Sequence, residues 1–229
     1  MMILALEFSS ERRSVALARD GNFLYEAVEQ TGGRGTNAFG LIEKVLAAAK
    51  ISREEIEAVA VGLGPGSYTG IRAAIALAQG WRLAFAEPEP SGNQQTMATA
   101  QRRLAREIKL LGVSSVEAVA LRAQTDKISG RVNVVLDAQR GEFYLATWEI
   151  GATGRREISP LKIVSAAEVE ARKVAGEICL GPEQGRQFFP GAAEIALLAG
   201  GKNVPADEFL EPVYLRAASF VKAPPSREL

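Results

Sequence analysis

Histidine is absent from this 229-residue chain. Its absence removes the commonest general base and the commonest metal ligand together, which excludes a histidine-ligated zinc hydrolase and a Ser-His-Asp triad. Carboxylate or lysine chemistry stays open. Cysteine is nearly absent too: Cys179 alone excludes an internal disulfide and a thiolate metal cage, and suits a reducing cytosol. Net charge is zero, with 27 basic residues against 27 acidic ones. No global positive field therefore draws the chain onto nucleic acid, whose phosphates dominate such binding. The cluster Arg102, Arg103 and Arg106 reads as a solvated helix face. Long apolar runs are missing as well. Even the alanine-rich stretch from Ile71 to Phe85 contains Gln79 and Arg82 and falls short of the roughly 20 residues of a membrane span. The opening MMILALEFSS has no basic leader and reads as a strand rather than a signal peptide. A soluble, cytoplasmic protein with no membrane association is expected.

Apolar residues make up 47% of the sequence and charged residues 24%, a globular balance at a length that suits two compact lobes. Ile3 to Phe8, Ser14 to Ala18 and Phe23 to Val28 read as an antiparallel meander, with Asp20-Gly21 as the second turn. Apolar residues at helical spacing from Thr36 to Lys50 predict a helix capped by Thr36 or Asn37. Ile56 to Val61 reads as a strand leading through a glycine-rich loop into a helix that begins near Ile71. The order is βββαβα. It recurs in the second half: Val132 to Asp137, a turn at Gln139-Arg140-Gly141, Glu142 to Ile150, a strand near Leu161 to Val164, a helix from Ala166 to Lys173, a strand at Ile178 to Leu180 and a helix from Ala192 to Leu198. A duplicated βββαβα unit implies an α/β protein with two lobes around a cleft, the architecture of actin, hexokinase and Hsp70 (the ASKHA fold). Glu87 to Gln95 has loop composition, and Thr96 to Lys109 reads as a polar helix. The lobes are drawn as 1–107, with an inserted segment near 86–106, and 108–229, whose last helix or tail returns to the first lobe.

Three stretches carry chemistry. The loop Gly64-Pro65-Gly66-Ser67-Tyr68-Thr69-Gly70 permits close backbone approach, and Ser67 or Thr69 can cap the next helix. Such a loop can cradle an anion, but it lacks the Walker ending and the dinucleotide spacing, so a structural turn is the preferred reading. Glu7 and Asp137 end equivalent strands. They either face one cleft around magnesium or cap their own turns by bonding backbone amides, and the turn reading is preferred. The helix from Ile71 carries Ala73, Ala74, Ala76, Ala78, Gly80 and Ala84 beside Leu77, Trp81 and Phe85. Apolar on more than one stripe, it is expected to meet a second surface.

Taken together, ILALEFSS, GLGPGSYTGIRAAIALAQG, GVSSVEA from Gly112, VVLDAQRGEFYLA and PVYLRAAS from Pro212 resemble the TsaB (YeaZ) family over most of the chain. The resemblance implies a non-catalytic paralogue of TsaD, the transferase that places threonylcarbamoyl on a tRNA adenosine. It implies a heterodimer with TsaD, recruitment of the ATPase TsaE, ATP and magnesium used by the complex but none bound by this chain, tRNA met only through the complex, and self-association through the same helices. The transferase holds its metal with histidines, and this chain has none. By resemblance the helices from Thr36 and Ile71 supply the partner surface, with Phe39, Ile42, Ile71, Ile75 and Leu77 the residues chosen and no catalytic residue. Relatives often have Asp at the place of Glu7 and His near Arg34 or Gly35, and pass to GVSS by a shorter connection. Two alternatives stay open: an ATP-dependent phosphotransferase or hydrolase using Glu7 and Asp137 as cofactor-binding carboxylates, and a peptidase acting on its partner through Ser67.

Overall fold

Strand β1 (Met2–Glu7) is buried at every position, which is why it reads as a continuous apolar run rather than an alternating one. It pairs antiparallel with β2 (Arg12–Arg19) and parallel with β4 (Ala58–Gly62). With β3 (Asn22–Gln30) and β5 (Lys109–Val113) it forms a sheet ordered β3-β2-β1-β4-β5. In this computed structural model residues 1–30, 35–86, 107–182, 184, 187–201, 206 and 209–215 are described. Asp20 and Gly21 both have positive φ, the backbone that a two-residue hairpin turn needs to follow the strand twist.

Period-two alternation sorts this sheet by side-chain size. Leu4, Leu6, Val15, Leu17, Val59 and Val61 face helices α1 (Ala38–Ala49) and α2 (Tyr68–Phe85). The opposite face is mostly alanine, Ala5, Ala16, Ala18, Ala58 and Ala60, and the small side chains let helix α5 (Ala192–Ala199) pack closely on it. Asn37 caps α1 by accepting the Gly40 amide at 3.1 Å.

The second sheet repeats the pattern, ordered β8-β7-β6-β9, with β6 (Gly130–Asp137) antiparallel to β7 (Glu142–Ile150) and parallel to β9 (Ile178–Leu180). Strand β8 (Arg155–Ser165) is longer than its sequence signal, and α4 (Ala166–Val174) covers Val135, Leu145 and Val164. Gln139, Arg140 and Gly141 all turn with positive φ.

Two expectations are corrected and one helix is added. Helix α2 begins at Tyr68 rather than near Ile71, because Ser67 accepts the Gly70 amide as its cap. Helix α3 (Ser115–Thr125) carries no single apolar stripe: Ala118 packs against the first sheet's alanine face, while Val116, Val119, Ala120 and Ala123 pack against the second sheet. A helix buried between two layers shows weak periodicity, so its sequence reads only as a family motif. The boundary drawn at 107/108 cuts off β5, which pairs with β4 in the first sheet. Helix α5, for which a return to the first lobe was expected, packs on that sheet. The helix expected over Thr96–Lys109 and the inserted segment fall on residues 87–106, outside those described, as do Arg34, the arginine cluster and Arg216; Lys109 itself starts β5.

Candidate functional site

The glycine-rich loop is seated against the first hairpin. The Ser67 amide donates to the Ser9 carbonyl at 2.6 Å, and the Gly64 amide donates to Ser115 Oγ at 3.1 Å. The Leu63 amide donates to Val113 O at 2.8 Å, and its carbonyl accepts the Val213 amide at 2.9 Å. A Cβ at Gly66 would stand 2.2 Å from the Ser9 carbonyl oxygen, so close approach to the hairpin is what requires glycine there. Pro65 has no N–H, and the Leu63, Gly64, Ser67 and Gly70 amides are spent on protein acceptors. The loop is a built structural turn; Tyr68, Thr69 and Gly70 form the first turn of α2.

Glu7 and Asp137 do the same local work at the ends of β1 and β6. Glu7 Oε1 accepts the Ser9 amide at 2.6 Å, and Asp137 Oδ1 accepts the Gln139 amide at 2.7 Å. Beyond that they differ. Glu7 is fully buried, its other oxygen accepts the Ser115 hydroxyl at 2.7 Å, and burial raises its pKa despite these bonds. A Cβ at Gly62 would lie 1.9 Å from Glu7 Oε2, so glycine on β4 makes room for the carboxylate. Asp137 lines the cleft between the lobes and Glu7 does not. The structure does not bring the pair together on one face of the cleft: the Glu7 carboxylate is sealed with both oxygens engaged, whereas hard-cation binding needs several accessible oxygens converging. Among the described residues no three His, Cys, Asp or Glu side chains gather into a metal cluster.

The cleft itself has a volume of about 820 Å³. Ser9, Arg13 and the Gly66–Thr69 segment line it from the first lobe, and Asp137, Arg140 and Tyr144 from the second. Tyr214 closes one side, its ring 5.3 Å from that of Tyr68, and the Arg72 guanidinium lies 5.1 Å from the Tyr68 ring centre. Burial raises the Tyr214 hydroxyl pKa, and Tyr68 adds to it. Leu210 is buried in the first lobe's core, so the segment carrying Tyr214 is anchored there. Sequence reading passed over Ser9, Arg13 and Ser115. Arg13 had a legible signal: it stands two residues before Val15 and four before Leu17, on the core-facing side of β2.

The residues chosen for a partner surface divide. Phe39 is 70% exposed on α1. Ile42, Ile71 and Ile75 are buried in the first lobe's own core, and Leu77 packs against it. The correction follows from helix geometry: these residues share the faces of α1 and α2 turned to the sheet. The outward faces present Phe39, Leu83 and Tyr68 with Arg72, Ala73, Ala76 and Gly80. No helix among the described residues is long and apolar enough to cross a membrane.

Two βββαβα-type sheets, a cleft between them and α5 docked on the first sheet define a two-lobed protein of the actin, hexokinase and Hsp70 class, with strand-end carboxylates bound to their own turns. Residues 36–88 match the family described as TsaD, tRNA N6-adenosine threonylcarbamoyltransferase. The tRNA threonylcarbamoyladenosine biosynthesis protein TsaB of Escherichia coli is 28% identical over 255 residues, covering 100% of both chains. The TsaB of Haemophilus influenzae is 35% identical over 92 residues, 39% of this chain and 37% of that one. YeaZ from Pseudomonas aeruginosa, a solved structure, superposes with a TM-score of 0.68 at 23% identity over 93% of this chain and 99% of that one, and shows the same fold. These likenesses support a TsaB (YeaZ) family assignment for the chain.

Proposed function

We propose that this chain is a non-catalytic subunit that binds and activates a TsaD-type transferase in the formation of N6-threonylcarbamoyladenosine in tRNA. One observation carries the reading: residues 36–88, spanning α1, β4 and α2, match the transferase family in a chain without a single histidine. The chain shares the transferase's frame and lacks the residue type assigned to its metal. The outward faces of α1 and α2 support a docking role, because Phe39 and Leu83 are 70% and 72% exposed beside small residues that admit close approach. A second copy of the chain competes for the same faces. TsaE and tRNA reach the chain only through the complex, and the ATP and magnesium are handled by its other members. The burial of Glu7 weighs against a phosphotransferase, and Ser67, committed to the Gly70 amide as a cap, weighs against a peptidase.

An omission experiment tests the proposal. tRNA threonylcarbamoylation is reconstituted from the source organism's own components with and without this chain, and modified adenosine is quantified by mass spectrometry. Loss of product on omission, with none formed by the chain alone, is the expected result. Equal modification without the chain refutes it.

A further inference from the structure

Helix α2 contains two charged residues, Arg72 and Arg82, and no acidic one. Its first turn therefore lacks the carboxylate that would offset the positive end of the helix dipole. Arg72 stands on the outward face, one turn beyond Tyr68, with Ala73, Ala76 and Gly80 exposed along the same stripe. Its guanidinium is held in place. One terminal nitrogen donates to the Tyr68 hydroxyl at 2.7 Å, and Cζ lies 5.1 Å from the Tyr68 ring centre. Tyr214 backs that ring at 5.3 Å, tilted by 33°. The segment carrying Tyr214 is fixed to the first lobe by buried Leu210 and by the Val213 amide, which donates to the Leu63 carbonyl at 2.9 Å. Among the described residues Arg72 forms no ion pair. An exposed arginine ordinarily gains little from a carboxylate, because ordering its long side chain costs entropy. Here the two tyrosines have already restricted it, so an incoming carboxylate meets a guanidinium whose fork is set.

We propose that Arg72 is the charged anchor of the α2 docking face and selects a partner surface bearing a carboxylate. The inference rests on the docking reading above and names the chemistry of the partner at that face. The small side chains of Ala73, Ala76 and Gly80 let a partner approach closely enough to exclude water from Arg72, which strengthens the pair. A second copy that meets α2 with its own α2 sets arginines against arginines, since the helix has no acid to offer. An acidic partner is therefore favoured over self-pairing at this helix. A nucleic-acid phosphate is the other acceptor that suits an arginine, but a net charge of zero supplies no field to gather it.

Binding of the full-length chain to the TsaD-type transferase of the same organism is measured by calorimetry at low and at high ionic strength. Arg72→Met should weaken it by about thirtyfold, the scale of an interface hot spot, and Arg72→Glu by about a hundredfold or more. Arg72→Lys should cost about tenfold, because the ammonium keeps the charge but not the fork. Tyr68→Phe should cost about threefold, since it removes only the hydroxyl that steadies the guanidinium. Added salt should weaken the parent more than Arg72→Met. Both positions are exposed, so all four variants should melt with the parent. Changing one carboxylate of the transferase to lysine should restore binding to Arg72→Glu and so identify the paired group. Parent binding that Arg72→Glu retains overturns this inference and leaves the docking reading standing; no binding by the parent overturns both. Two further results overturn it by assigning Arg72 elsewhere. One is tRNA binding by the chain alone that Arg72→Met abolishes, and the other is a dimer of the free chain, seen by sedimentation, that Arg72→Glu dissociates.

Discussion

Replacing Ser14 with alanine should loosen α5 from the first lobe. The N-cap of α5 is Gly191, which has no side chain to offer, so the helix start is capped from another part of the chain. The Ala192 amide donates to Ser14 Oγ on β2 at 2.8 Å, and the Ala193 amide to Glu26 Oε1 on β3 at 3.2 Å. The Glu194 carboxylate folds back on its own amide. Ser14 and Ala192 are both fully buried, so no water replaces a lost hydroxyl. Ser14→Ala therefore leaves a buried N–H unpaired, at a cost of about 1–3 kcal/mol. For a chain of this length that corresponds to a fall in melting temperature of about 2–12 °C. The control is Ser165→Ala: that hydroxyl caps α4 by accepting the Glu168 amide at 3.2 Å, but in an exposed setting where water substitutes. Its cost should stay at about 0.5–1 kcal/mol, the low end for a lost cap. Calorimetry ranks the two variants, and hydrogen exchange at the α5 amides reports whether the loss is local. Equal costs for the two, or unchanged exchange in α5, would refute the capping of α5 by side chains of β2 and β3.

Glu7 sets a pH dependence. Burial raises its folded pKa above the unfolded value, so its contribution to stability is fully present below the ordinary carboxylate range and is lost as pH rises through the folded pKa. Glu7→Gln should remove that loss and leave the variant more stable than the parent above the folded pKa; urea unfolding across pH checks this, and a parallel decline in both proteins would contradict it. Ile71→Arg puts a charge at a fully buried core position, and a loss on the order of 4 kcal/mol or more is expected, visible as an unfolded product by circular dichroism. Phe39→Arg, at a 70% exposed site, should change stability by no more than about 0.5 kcal/mol yet abolish co-elution with the TsaD-type partner. Co-elution of a folded Phe39→Arg protein would move the interface away from α1.

Much of the scaffold was legible because its causes are local. The positive φ at Asp20 and Gly21, the Asn37 cap and the full burial of β1 each follow from a few neighbouring residues. The turn-capping of Glu7 and Asp137 reaches only two residues along the chain. Choosing Ile42, Ile71 and Ile75 as a docking surface went astray because an apolar stripe says that something covers it, not whether the cover is the chain's own sheet or another protein. The α3 helix escaped detection for the converse reason, being covered on two sides.

Composition and spacing alone determined the two-lobed α/β frame, the turns, most helices and strands, and the loss of histidine chemistry, because periodicity, turn residues and residue counts act within a few positions. Only the tertiary structure decided that β5 completes the first sheet and that Glu7 is sealed beneath Gly62 and Ser115 while Asp137 lines the cleft. Those facts depend on which residues separated by tens of positions come within hydrogen-bonding distance, as Glu7 and Ser115 do at 2.7 Å, and sheet register and packing set such distances.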